Sequence, residues 1–407
     1  MQLGGKFKLK VRALSRHDHL GSFLPANGGP EGRDGGADSV YDFGEEMATF
    51  LADSSEVDAD DQGPELDSEI SQKVMNLEAL QRIASRGIPW GGGMRALVWK
   101  LLLGYLPEDR DSWDGALVEK REAYAKLRSE LILNPSESGG EQGGAADGPL
   151  ERREIPDGDH PLCLGEDSIW HRYFQDAEIA TQIDRDLERT HPNSRFFAGD
   201  SKSSRINRES MRSILLLFAK LNPAVSYVQG MNEVLAPLFY VFSSDPDAQQ
   251  ASDAEADSFF CFVSLLSNSV DHFCPHLDNS PKGILSTLAD LSQLLKANDE
   301  ELWRHLELSN KVRPQFYAFR WITLLLTQEF GLPAVIRIWD ALLGNPSGVQ
   351  EMLLRVCCAM LLCVRRELLE GDFMANVKLL QSYPRVDLER LLNVAGQVVT
   401  PQSRGPT

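Results

Sequence analysis

The chain lacks most of the short patterns that mark a self-contained active site. It has no CxxC pair, no GxSxG or HExxH, and no GKS or GKT after a glycine-rich turn. That leaves no sequence sign of a redox dithiol, an acyl-transfer serine, a zincin or a phosphate-cradling loop. No apolar run is long and charge-free enough to cross a bilayer, and the N-terminus has no apolar core of the secretory type. Positive charge is also scarce. Lys and Arg total 41 against 60 Asp and Glu, a net −19, so nucleic acid is a poor partner, because phosphate neutralisation needs cations. The six cysteines, Cys163, Cys261, Cys274, Cys357, Cys358 and Cys363, form no regular framework. They read as reduced thiols in a cytoplasmic protein.

The acidity is concentrated. Residues 21–70 hold fourteen acidic residues against Arg33 alone, with few large apolar groups. Such a stretch cannot bury enough surface to offset the entropy of ordering, so residues 1–73 are expected to be disordered, basic at first and then acidic. The basic opening (Lys6, Lys8, Lys10, Arg12, Arg16) suits peripheral contact with an anionic membrane face; a solvated terminus is the plainer reading. Residues 134–165, rich in Gly, Glu, Asp and Pro, read as a disordered surface insertion. Gly139–Gly144 within it is no phosphate loop, since it is acidic and follows no strand. Residues 397–407 read as a disordered tail.

Between these lies a core of 74–396 whose apolar residues recur at helical spacing. Val74, Leu77, Leu80 and Ile83 open it, Met211, Ile214, Leu215 and Phe218 line another helix, and Gln350–Leu369 is a long apolar helix with three of the cysteines. Tyr227–Phe242 and Pro314–Glu329 are each expected to be one helix. No alternation of strand type is present, so the fold class is all-α.

Three groups of polar residues stand out. Ile183, Asp186 and Arg189 follow each other at i, i+3, i+6, which makes Asp186 and Arg189 neighbours on a helix; taken alone, a solvated charged face is the plainer reading. Gln229, in Tyr227-Val228-Gln229-Gly230-Met231-Asn232, is an amide set among apolar residues just before an apolar helix. It either caps backbone groups or faces a visitor. Asp271, His272, Cys274 and His276 crowd one turn, but no second cluster completes a zinc shell, so they read as structural. No metal or cofactor site of the chain's own is expected.

Taken in order, Arg86-Gly87-Ile88-Pro89 with Arg95 and Trp99, Ile183-x-x-Asp186-x-x-Arg189, Tyr227-x-Gln229-Gly230-Met231-Asn232 and Ile338-Trp339-Asp340 resemble the TBC domain family of Rab GTPase-activating proteins. The short architecture, the acidic insertion and Tyr383-Pro384 are similar to the member-thirteen type of that family. The resemblance implies a V-shaped, irregular helical domain that binds a Rab-family small GTPase in its GTP-bound form and acts in vesicle trafficking. It implies that Arg189 and Gln229 are an arginine finger and a glutamine finger supplied in trans. Asp186, Tyr227, Ile183 and Arg95 are implied as supporting residues. GTP and Mg²⁺ would be carried by the partner, so the chain would be a GTPase activator rather than an enzyme with its own site. Ser226 stands where the family often has Gly, with little consequence expected. The competing reading is a non-catalytic helical scaffold or effector that binds a small GTPase.

Overall fold

The computed structural model describes residues 59–90, 93–132, 169–267 and 283–400. The basic N-terminus, the insertion at 134–165 and the Asp271–His276 cluster lie outside them, as do Cys163 and Cys274. Every regular element among the described residues is helical, and the β geometry is a single isolated bridge, Val74 to Asp109. The helices of nine or more residues are α1 (Ala59–Ile70), α2 (Leu77–Arg86), α3 (Met94–Leu102), α4 (Trp113–Leu131), α5 (Ile169–Glu188), α6 (Lys202–Leu221), α7 (Met231–Ser243), α8 (Ala254–Ser267), α9 (Ile284–Asn298), α10 (Leu332–Leu343), α11 (Val349–Cys363), α12 (Phe373–Gln381) and α13 (Leu388–Gln397).

The helices start and stop where local chemistry dictates. Asn76 caps α2 by accepting from the Ala79 amide at 3.2 Å, and Ser201 caps α6 by accepting from the Ser204 amide at 3.0 Å; each satisfies a donor the helix leaves open. In α6, Met211, Ile214, Leu215 and Phe218 are fully buried, the face the periodicity predicts. Phe218 meets Phe262 of α8 edge to face at 5.4 Å, a geometry that adds about 0.5–1.5 kcal/mol to the burial itself. α7 and α8 pack together, as do α5 with α6, α2 with α10 and α11 with α13. Cys261, Cys357 and Cys358 are buried free thiols, and Cys363 is a half-buried one.

Four expectations need correction. The acidic stretch is not unstructured to residue 73: α1 forms from 59, because Leu66 and Ile70, one turn apart, bury against the core, and Glu65 pairs with Arg86 at 2.6 Å. The tail packs further than expected. Val398 is buried, and Asn298 clasps Val399 through both its carbonyl and its amide at 2.9 Å. Tyr227–Gly230 is a turn before α7 rather than its first turn, since Gly230 sits in the left-handed region (φ 100°). Pro314–Glu329 is not one helix. A 3₁₀ turn (Pro314–Phe316) and a short α-helix (Ala318–Thr323) give way to a reversal with Leu325 and Leu326 both at positive φ. That reversal brings Leu324 against Gly230 and aims the Leu325 carbonyl at the Trp339 indole, 3.1 Å away.

Candidate functional site

The last turns of α5 carry the first half of the site. Ile183 and Leu187 are buried and fix the helix to the core. Asp186 lies on the same inward side, 2% exposed, which removes the solvated-face reading for this carboxylate. The helix ends at Glu188, and the Thr190 hydroxyl donates back to the Asp186 carbonyl at 2.9 Å. His191 then turns the chain with φ 42°. Arg189 therefore leaves the helix end outward. Its side chain is 53% exposed, while its guanidinium donates to Oδ1 of Asp186 beneath it.

The turn before α7 carries the second half. Tyr227 is buried, and its hydroxyl donates to the other Asp186 oxygen, Oδ2, at 2.6 Å. Burial first, and then this bond, push the Tyr227 hydroxyl well above the usual phenol range, so it remains a donor. Two residues on, Gln229 is exposed. One carboxylate thus takes a donor from each segment, Arg189 from α5 and Tyr227 from the turn, and links the footings of the two exposed side chains.

Two geometric features hold the turn. A Cβ at Gly230 would fall 2.5 Å from a Leu324 methyl, and its φ of 100° disfavours any side chain. Ser226 also adopts a left-handed conformation (φ 58°), which gives a physical reason for glycine at this place. Serine here carries about 1–2 kcal/mol of strain, so the expectation of little consequence understates it.

The sequence reading passed over the residue that ties these pieces together. Asn232, buried at the start of α7, donates through Nδ2 to the Thr190 hydroxyl (2.8 Å) and the Asp186 carbonyl (3.3 Å). Its Oδ1 accepts from the Gly230 amide at 3.1 Å and lies 3.2 Å from the Tyr227 hydroxyl. Its place in the Gln229–Asn232 run was visible; its role as a hub was not. Glu233 beside it is also buried, and burial pushes its carboxyl up to about 7, with Asp186 adding to the rise and Gln328, Arg189 and Asn232 opposing it.

Arg95 belongs elsewhere. Its guanidinium is buried and bonds Asp340 of α10 at 3.1 Å, under the Trp90 ring at 3.9 Å. The same Asp340 accepts from the Trp99 indole (2.8 Å) and the Ile88 amide (3.1 Å). Arg95 and Ile338-Trp339-Asp340 are therefore a latch between α3 and α10, and Arg95 makes no recorded contact with Asp186, Arg189, Tyr227 or Gln229. Asp340 has already taken it. Among the described residues no group of three or more His, Cys, Asp or Glu is placed to hold a metal, and no helix is long and apolar enough to cross a membrane.

Comparison with known proteins identifies the family. The Rab-GTPase-TBC domain model matches residues 166–369, the segment that contains both halves of the site. TBC1 domain family member 13 of Homo sapiens is 37% identical over 389 residues, covering 81% of this chain and 95% of that protein. GTPase-activating protein GYP1 of Saccharomyces cerevisiae is 31% identical over 292 residues, 67% of this chain and 38% of that one. The crystal structure of the Ypt/Rab-GAP domain of Gyp1p superposes with a TM-score of 0.65 at 28% identity, covering 84% of this chain and 98% of the domain. The chain belongs to the Rab-GTPase-TBC family, and its all-α domain is a Rab-GAP TBC domain.

Proposed function

We propose that this protein accelerates GTP hydrolysis on a GTP-bound Rab-family GTPase by lending it two side chains, Arg189 and Gln229, and that it thereby ends Rab signals in vesicle trafficking. The observation that carries the reading is the exposed Arg189 standing on the buried carboxylate of Asp186, which also takes the hydroxyl of Tyr227, two residues before the exposed Gln229. Asp186 orients Arg189 from beneath and fixes Tyr227.

In the reaction, water attacks the γ-phosphorus, the bond to the β–γ bridging oxygen breaks, and GDP and phosphate leave. Negative charge builds on the γ-phosphoryl oxygens and the leaving oxygen. A guanidinium brings a fixed charge and a planar fork of donors to those oxygens. A glutamine amide accepts from the attacking water through its oxygen and donates to a phosphate oxygen through its nitrogen. The GTPase contributes the nucleotide and Mg²⁺. An arginine finger raises the rate by about 10³–10⁵, or roughly 4–7 kcal/mol of transition-state stabilisation.

Exposure of both side chains favours this over a passive scaffold, since a scaffold has no need of an arginine aimed at solvent above a buried carboxylate. The test is phosphate release from purified, GTP-loaded Rab proteins with and without this chain. Stimulation by wild type and none by Arg189→Ala or Gln229→Ala supports the reading. Equal stimulation by the variants overturns it.

A further inference from the structure

Far along the chain from the two proposed fingers, large apolar side chains stand exposed where residues 304–316 meet α12. Phe316, in the 3₁₀ turn, and Phe373 and Met374, the first two residues of α12, are all exposed, Met374 to 70%. The two phenylalanine rings meet edge to face at 5.8 Å. Leu308 is exposed as well, and it lies between His305 and Asn310, which both donate to the Gly371 carbonyl, at 3.2 and 2.9 Å. Gln381, at the far end of α12, donates to the Phe316 carbonyl at 3.0 Å. Residues 304–316 are thus clasped to both ends of α12, and the exposed side chains project from a fixed base.

The free charge around them has one sign. Lys311, Arg313 and Lys378 are exposed, and none of these side chains has an ion pair or hydrogen bond among the described residues. Lys378 stands one turn after Met374 on the same face of α12, and Lys311 and Arg313 precede Phe316 in its own segment. Neither 308–316 nor 373–381 contains an acidic residue, in a chain that has 60 of them. The flanking acids are engaged elsewhere: Asp372 accepts from the Ala375 amide at 2.9 Å, and Glu307 has one carboxylate oxygen buried.

We propose that this face, Phe316, Phe373 and Met374 ringed by Lys311, Arg313 and Lys378, docks on an anionic lipid bilayer. The apolar tips enter the boundary between headgroups and acyl chains, where their exposed surface leaves water. The three cations meet the lipid phosphates and carboxylates. A chain of net charge −19 is repelled by such a surface as a whole, so contact requires a local face of the opposite sign. Charge complementarity also favours a bilayer over a protein partner. The rim offers unpaired cations on long flexible stems, whereas a protein interface needs a fixed pattern of paired donors and acceptors. A fluid anionic surface asks for no such register. This docking needs nothing from the GTPase reaction.

The experiment is sedimentation of the full-length protein with vesicles of phosphatidylcholine alone or of phosphatidylcholine with about 30% phosphatidylserine. Wild type is expected to pellet with the anionic vesicles, to stay in solution with the neutral ones, and to be released as salt rises from about 0.1 M to about 0.5 M. Met374→Asp is expected to lower the partition coefficient about tenfold with the thermal melt unchanged. Lys311→Gln and Lys378→Gln are each expected to lower it about fivefold. Should Met374→Asp melt early, the two lysine variants decide, since neither side chain holds another group in the fold. Failure of wild type to pellet with anionic vesicles overturns the proposal. So does pelleting that these variants leave unchanged, including the case in which replacing Lys6, Lys8 and Lys10 by Gln abolishes it instead. A dimer in sedimentation velocity that Met374→Asp dissociates makes the face a contact between two copies, and that also overturns it.

Discussion

Two buried aspartates in this molecule do the same thing with opposite outcomes. Asp340 accepts from a guanidinium (Arg95), an indole (Trp99) and a backbone amide (Ile88). Asp186 accepts from a guanidinium (Arg189) and a phenol (Tyr227). The difference lies in where the arginine ends. The Arg95 side chain is 8% exposed, under a tryptophan ring, whereas that of Arg189 is 53% exposed at a helix end. Pairing with a buried carboxylate therefore does not separate the two arginines; exposure of the far face of the guanidinium does. One aspartate locks two helices together, and the other gives an exposed cation a fixed root.

The largest expected effect falls on the open side of that comparison. Arg189→Ala should cost about 10³–10⁵ in stimulated hydrolysis with only a modest fall in the thermal melt, since Asp186 loses its cation but keeps the Tyr227 donor, and Arg189→Lys should recover little, because the charge remains and the fork is lost. Phosphate release and a melting curve together check both halves. On the closed side the pattern should invert. Asp340→Ala leaves Arg95 charged, buried and unpaired, and should lower unfolding free energy by about 3–5 kcal/mol in urea titrations, any loss of activity following the loss of fold.

Next in size is a linked effect of pH on stability. Glu233 has its folded-state value raised from 4.5 to about 7, so its contribution is fully present below about 4.5 and is lost as pH rises through about 7. His191, lowered from 6.5 to about 4, acts in the other sense, losing its contribution as pH falls from about 6.5 through about 4. Glu233→Gln should therefore stabilise the protein at about pH 8, by up to about 3 kcal/mol, and do much less at about pH 5. Denaturant midpoints at the two pH values measure it. The smaller effects come last. Tyr227→Phe removes a donor from Asp186 and should cost about 2 kcal/mol together with part of the stimulation, because the root of the site loosens. Ser226→Gly should gain about 1 kcal/mol by relieving the left-handed strain, read from the same midpoints.

The sequence was informative where a pattern is local and repeated. Helical spacing found the buried face of α6, but it ran α11 on to Leu369 where that helix stops at Cys363 and a separate short helix, Arg365–Glu370, follows; the i, i+3 step placed Asp186 beside Arg189. It was uninformative where the outcome depends on partners distant in the chain. Nothing local says that Arg95 will be claimed by Asp340, 245 residues away, so a motif arginine was read as part of the site when it is part of the frame. α1 was missed because its net composition is acidic, although two well-placed apolar residues, Leu66 and Ile70, were enough to seat it. The reversal at Leu325 and Leu326 is invisible in an apolar run, since leucine is a poor residue for positive φ. Packing against Gly230 and Trp339 imposes it. His191 and Glu233 were hidden for a similar reason: only folding brings the residue after one motif to 3.9 Å from the residue after the other.

The most direct test of the account is the single-turnover rate of phosphate release from a responsive GTP-loaded Rab with Arg189→Ala at a concentration where wild type is saturating. The account predicts a rate equal to the GTPase alone, with binding of the GTPase retained. Hydrolysis as fast as with wild type would contradict it.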